Sequence, residues 1–288
     1  MNSSQTTHQQ RGEHIPVGIL TRNRPAHLDL TLRSLSASAL PHEVKVTIYD
    51  DASDLWEARR YLYTSETIQA VSLYIPFKLV GNVPNVKTPI NLHGIHGRLK
   101  IVRLESHLGV LHGSIKALHD LSQMSKAPYV CLLQDDVVFV KDWYNIMCNI
   151  VALHRPGILS GVTFGSPAGT QYERQEYKAI KTNFTRAQCL FIARELLECL
   201  WLEHSKVDRK QKQGFDALIC NVAEKNGFDI LANYPSVCQH IGVESLVRPE
   251  RRFDWKGGRY SRSIQESVVV AKKIRWLSAD KNISHDRI

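Results

Sequence analysis

Apolar residues along the chain alternate between two rhythms. From His14 to Leu20 they form a short strand-like run that stops at Thr21-Arg22-Asn23-Arg24-Pro25, and Leu28, Leu32 and Leu35 then recur at helical spacing. Val44 to Tyr49 is a second β-branched run, ending at Asp50-Asp51-Ala52-Ser53-Asp54, and Leu55 to Val71 predicts a helix. Strand, helix, strand, helix predicts a parallel sheet, because parallel neighbours need a crossover that a helix supplies.

Residues 72–98 carry Pro76, Pro84, Pro89, Gly81, Gly94 and Gly97, which break any long period, so an irregular insertion is expected there. Lys100 to Leu104 then reads as a strand, Gly109 to Met124 as a helix, and Tyr129 to Leu133 as an apolar strand entering Gln134-Asp135-Asp136. Asp142 is placed to cap a helix from Trp143 to His154. A strand is expected from Ile158 to Phe164, followed by a polar loop through Thr185. Cys189 to Ala193 reads as a strand, Glu195 to Glu203 as a helix, and Gly214 to Asn226 as a helix closed by Gly227 in left-handed backbone. Asp229 to Ala232 is the last expected strand, running to Val237-Cys238-Gln239-His240.

The 288 residues, 43% of them apolar, have an ordinary globular composition, and one large α/β domain accommodates that length. The pattern divides into a polar tail (1–14), a main domain (15–247) and a C-terminal extension (248–288). The first fourteen residues hold no apolar signal core, and no stretch reaches the ~18–20 apolar residues a membrane span requires. Six cysteines, Cys131, Cys148, Cys189, Cys199, Cys220 and Cys238, include no C-x-x-C pair and mostly lie in apolar segments. They are expected to be reduced thiols in a cytoplasmic protein, of a host cell if the source is viral.

The formal charge of +9 is uneven: +3 over residues 1–100, zero over 101–247 and +6 over 248–288. In the extension Arg248, Arg251, Arg252, Lys256, Arg259 and Arg262 are interleaved with Phe253, Trp255 and Tyr260. Three readings stay open: a loop closing over a donor diphosphate, a nucleic-acid contact through phosphate neutralisation and base stacking, and a solvated tail.

Asp135 and Asp136 are the strongest chemical signal, since ligands gather at the carboxyl ends of strands in open α/β sheets. Two adjacent buried acids are costly unless a cation compensates them, and Mg²⁺ or Mn²⁺ takes carboxylate and diphosphate oxygens alike. The plainer alternative is a pair of acids capping a turn. Asp50 and Asp51 repeat the arrangement, suited either to a base or ribose hydroxyl or, with Ser53 or Asp54, to capping the next helix. His93 and His96 read as solvated loop residues, and His107, His112 and His119 as surface or donor-pocket residues.

The strand ends Thr21-Arg22-Asn23-Arg24-Pro25, Asp50-Asp51-Ala52-Ser53 and Gln134-Asp135-Asp136, in this order, resemble the nucleotide-sugar-binding half of a GT-A glycosyltransferase, and Cys238-Gln239-His240-Ile241-Gly242 is similar to a Gln-His-x-Gly segment of some N-acetylglucosaminyltransferase-like members. The resemblance covers about Ile15 to Gly242. It implies a Rossmann-like α/β fold, a mixed and mostly parallel sheet flanked by helices. It further implies a nucleotide-sugar donor, foremost a UDP-sugar, and a divalent metal, Mn²⁺ or Mg²⁺. Thr21 and Arg22 would touch the nucleotide, Asp51 or alternatively Asp50 the base or ribose, and Asp135 the donor. Asp136 and His240 would hold the metal. Gln134 stands where the family's motif has its first acid, which departs from the pattern and puts the ribose contact there in doubt. Asp216, about 80 residues after Asp136, falls where inverting members place their general base, with Asp208 and Glu173 as fallbacks. Since a helix N-terminus lowers a carboxyl pKa, burial would have to oppose it to make Asp216 a good base.

A soluble transferase with a basic surface could take a hydroxymethylated DNA base as acceptor, as in phage-type DNA modification, and such a base would have to be flipped out of the duplex. Glycan and small-molecule acceptors are the alternative. A nucleotidyltransferase is a further enzymatic reading, although Thr21-Arg22-Asn23-Arg24-Pro25 lacks the glycines of a triphosphate-cradling loop. A catalytically silent nucleic-acid-binding protein on this fold is the reading from another class.

Overall fold

The computed structural model describes residues 13–62, 99–162, 177–206 and 214–241. The expected insertion at 72–98, His93, His96, Glu173, Asp208, Gly242 and the whole basic extension lie outside the described residues.

The first half is built from three parallel strands, β1 (Val17–Thr21), β2 (Val46–Asp50) and β3 (Leu99–Arg103), with α1 (Pro25–Ala37) and α2 (Trp56–Leu62) among the connections. After α3 (Gly109–Met124) the chain returns to the other side of β1 as β4 (Tyr129–Gln134). Beyond it come β5 (Val137–Phe139), α4 (Trp143–His154), β6 (Ile158–Ser160), β7 (Lys178–Thr182), β8 (Cys189–Ala193), α5 (Arg194–His204), α6 (Phe215–Lys225), β9 (Ile230–Tyr234) and β10 (Cys238–His240). The main sheet runs β3-β2-β1-β4-β8-β6-β9-β7, a mixed, mostly parallel α/β sheet in which β4–β8, β6–β8 and β7–β9 pair antiparallel.

Alternation along the strands sets the layers. Gly18 faces Leu121 of α3 so closely that a Cβ would lie 2.6 Å from its Cδ1. Val17 points to the other face, where its neighbour in register is Cys131 and the next is Phe191, which packs on Trp143 of α4. Helices therefore cover both faces, and the strands between them, such as Val46–Asp50 and Cys189–Ala193, are buried along their whole length.

Three strands, β5, β7 and β10, escaped the sequence pattern. β7 lies in the expected polar loop; it is an edge strand, carries Lys178 and Lys181, and has no fully buried residue, so apolar periodicity is weak there. β5 is three residues long and pairs antiparallel with β10, forming a small separate ribbon. The expected caps also differ. Asp142 stands at the N-cap of α4 without a side-chain hydrogen bond. The turn into α2 is capped from another loop: Asn23 Oδ1 accepts the N–H groups of Asp54 and Leu55. Gly227 does take the left-handed conformation after α6, at φ 73°. Among the described residues no helix is long and apolar enough to cross a membrane.

Candidate functional site

The chain steps from β1 out to β2 and β3 and then crosses back to β4, so the sheet changes direction between β1 and β4. Such switch points open a crevice at the strands' carboxyl ends. In register Thr21 lies beside Asp50, and Leu20 beside Gln134. The fold thus gathers Thr21, Asp50, Asp51, Gln134, Asp135 and Asp136 at one edge, as the sequence led one to expect.

At the crevice Asp135 and Asp136 are buried around one guanidinium. Arg24 Nη1 lies 3.0 Å from Asp135 Oδ1 and 2.6 Å from Asp136 Oδ2. Thr21 donates its hydroxyl to Asp135 Oδ2 at 2.7 Å, and the Arg22 N–H also binds this carboxylate. Thr31 of α1 locks the backbone, donating to Asp135 O and accepting from Val137 N. The β5–β10 ribbon brings in the last member: His240 Nε2 lies 2.9 Å from Asp136 Oδ2, and Ile241 N–H donates to Asp136 O. Burial, with Asp136 next door, pushes Asp135 above the usual carboxylate range. Asp136 falls below it, because the His240 hydrogen bond and charge, and then Arg24, outweigh burial.

The other predicted residues divide by what already holds them. Asp50 is fully buried, accepts Ser53 N–H, and pairs with Arg103 of β3 at 2.7 Å. Asp51 accepts the N–H groups of Leu108 and Gly109 at the start of α3, and His107 Nδ1 lies 2.7 Å away. Arg22 reaches Asp54 at 3.5 Å, while its Nε is buried without a partner among the described residues. Gln134 donates its N–H to Gln188 O on the strand that becomes β8. Asp216, near the start of α6, is mostly buried beside Arg186 and bonded to Ala187 N–H; burial raises its pKa against both of those influences. That burial is the condition set above for a base at this position.

The described residues contain no group of three or more His, Cys, Asp or Glu side chains placed to hold a metal ion. Three of the four carboxylate oxygens of the acid pair are engaged by Arg24, Thr21 and His240. Among the described residues the fourth, Asp136 Oδ1, is buried with no partner. The donor set of the described residues therefore fits a resident divalent ion poorly, since hard cations gather about six oxygen ligands.

Sequence reading missed Arg24, Thr31, Asn23, Arg103 and Arg186. Arg24 had a signal: two buried neighbouring acids demand a cation, and a second arginine stands in the loop facing them. Thr31 and Arg103 gave none, because their partners are set by three-dimensional proximity across 104 and 53 positions of the chain.

Fold and site together define an α/β protein with an acid–guanidinium cluster at the switch point of its sheet. The chain matches no protein-family model and no curated protein. Among solved structures it is similar to S. aureus TarS 1-349, at 16% identity over 76% of this chain and 57% of that one, with a TM-score of 0.48. It is likewise similar to S. aureus TarS, at 16% identity over 93% and 40%, TM-score 0.49. A third is TarS 1-349 in complex with UDP-GlcNAc, at 17% identity over 76% and 55%, TM-score 0.47. The chain spans less than two thirds of the length of each of these solved chains.

Proposed function

We propose that this protein is a nucleotide-sugar-dependent glycosyltransferase of GT-A type that transfers its sugar with inversion to a hydroxyl acceptor. One observation carries the reading: among the described residues the donor Arg24 Nη2 and the acceptor Asp136 Oδ1 are buried without a partner in one cluster at the switch point, and Arg22 Nε, in the same loop as Arg24, is buried without a partner as well. Natural proteins rarely leave such atoms unpaired, and a ligand offering both phosphate oxygens and sugar hydroxyls satisfies both kinds. In the reaction the acceptor oxygen attacks the anomeric carbon, its proton passes to Asp216, and the bond to the diphosphate breaks with its electron pair leaving on the nucleoside diphosphate. Arg22 and Arg24 offset the charge that grows on the leaving group.

A panel of sugar nucleotides screened by thermal shift tests this, with UDP release measured for those that raise Tm. A UDP-sugar is expected to raise Tm, and release is expected to vanish in Asp216→Asn while binding persists. If no sugar nucleotide shifts Tm or is turned over, the reading fails. The basic 248–288 segment supports a polyanionic acceptor, a hydroxymethylated base in DNA. Transfer only to small acceptors, with no duplex binding at low salt, would exclude DNA.

A further inference from the structure

The acid pair already has a cation. We propose that the Arg24 guanidinium takes the place of a divalent metal at Asp135 and Asp136, and that with Arg22 it grips the donor diphosphate, so that the donor binds without metal. The proposal rests on the donor reading above and names the group that meets the diphosphate.

Three features of Arg24 carry it. Its backbone is fixed, since it forms the N-cap of α1 ahead of Pro25 and accepts Leu28 N–H at 3.0 Å. Its Nη1 serves both carboxylates, leaving Asp135 with each oxygen engaged, by Arg24 and by Thr21. Among the described residues its Nη2 is buried with no partner, and so is the Nε of Arg22 two residues earlier. A planar guanidinium that spends one nitrogen on carboxylates and offers another is shaped to join an acid to a phosphate oxygen. A metal entering here would have to displace Arg24 from two carboxylates and would find one unshared oxygen, Asp136 Oδ1. Without Arg24, a diphosphate would face two buried acids and be repelled.

Calorimetric titration of the full chain with UDP and with inorganic pyrophosphate, in excess EDTA and again in Mn²⁺, decides the matter. Wild type is expected to bind both ligands in EDTA, with Mn²⁺ changing Kd by less than about threefold. Arg24→Ala should weaken binding by about 30-fold or more, as loss of one partner from a buried charge cluster does. Because that variant leaves the acids uncompensated, Arg24→Lys and the charge-balanced Arg24→Ala/Asp135→Asn are titrated beside it, each checked for folding by circular dichroism. Arg24→Lys should retain part of the affinity and the double variant should not. Binding by wild type in Mn²⁺ but not in EDTA overturns the proposal and leaves the donor reading standing. So does undiminished binding by the folded Arg24 variants. Binding of neither ligand in either condition overturns both.

Discussion

His240 Nε2 meets Asp136 Oδ2 at 2.9 Å across 104 positions of the chain, and the neighbouring Ile241 N–H closes on the carbonyl of the same aspartate. One side chain and one peptide thus clamp the β5–β10 ribbon onto the acid pair. His240→Ala removes a hydrogen bond to a charged group, worth about 1.5–3 kcal/mol. UDP affinity measured by calorimetry is expected to fall, because Asp136 and with it Arg24 lose the partner that fixes their positions. A stability effect accompanies it. Asp136 is held below the usual carboxylate range when folded, so it adds stability above its unfolded pKa that is lost as pH falls through the folded value. Without His240 that folded value rises, and acid unfolding should begin at higher pH. An unchanged acid-unfolding profile would show that the contact contributes nothing.

Asp51 is an anchor for α3. Its carboxylate takes Leu108 N–H at 2.7 Å and Gly109 N–H at 2.9 Å, where the helix leaves donors unpaired. Asp51→Ala should cost about 2–4 kcal/mol, combining a lost cap with hydrogen bonds to a buried charge. Urea denaturation checks this through the midpoint at constant slope. Asp51→Asn, which keeps one acceptor, should lose less. Should Asp51→Ala keep the wild-type midpoint and only weaken UDP binding, Asp51 is a donor contact and not an anchor.

The sheet was legible because its strands are short, β-branched and separated by helical runs. The acids of the candidate site stood out because Asp50-Asp51 and Asp135-Asp136 stand at the ends of apolar strands, where a charge needs a partner. Legibility failed where a residue's role depends on a partner far along the chain. Asn23 caps a helix belonging to the next connection, and nothing in Thr21-Arg22-Asn23-Arg24-Pro25 names Asp54 or Leu55 as its partners. For Arg24 the sequence signals only that two buried acids need a cation; which arginine of the loop answers is settled by the parallel pairing of β1 with β4, which sets Arg24 against both acids. β7 shows the same limit in the backbone, since an edge strand half open to water has little apolar signal to give.

Ala52 sits in left-handed backbone at φ 53°, directly after the buried Asp50-Asp51 pair, with its N–H on Asp50 O at 2.7 Å. An L residue there carries roughly 1–2 kcal/mol of strain that glycine does not. Glycine loses more entropy on folding, which offsets part of the gain. Ala52→Gly is therefore expected to stabilise the protein by about 0.5–1 kcal/mol, read as a higher denaturation midpoint. A lower midpoint would mean that the Ala52 methyl makes a packing contact worth more than the strain.

Asp216 offers a test in which activity and stability move in opposite directions. Burial raises its folded pKa, against the charge of Arg186 and the Ala187 N–H. A base must be ionised to accept a proton, so transfer should fall off on the acid side at a pH above the ordinary carboxylate range. The stability sign follows from the same shift. With the folded value above the unfolded one, the folded state holds the proton more tightly, so the group costs nothing below the unfolded pKa. Its penalty grows as pH rises through the folded value. Asp216→Asn removes the ionisation and should keep or raise Tm at neutral pH while lowering transfer by about 100- to 10,000-fold. Donor affinity should remain near wild type, because Arg22, Arg24 and the acid pair are untouched. A variant that loses Tm together with activity would make Asp216 a helix-terminal structural acid, and one that keeps activity would remove it from the chemistry.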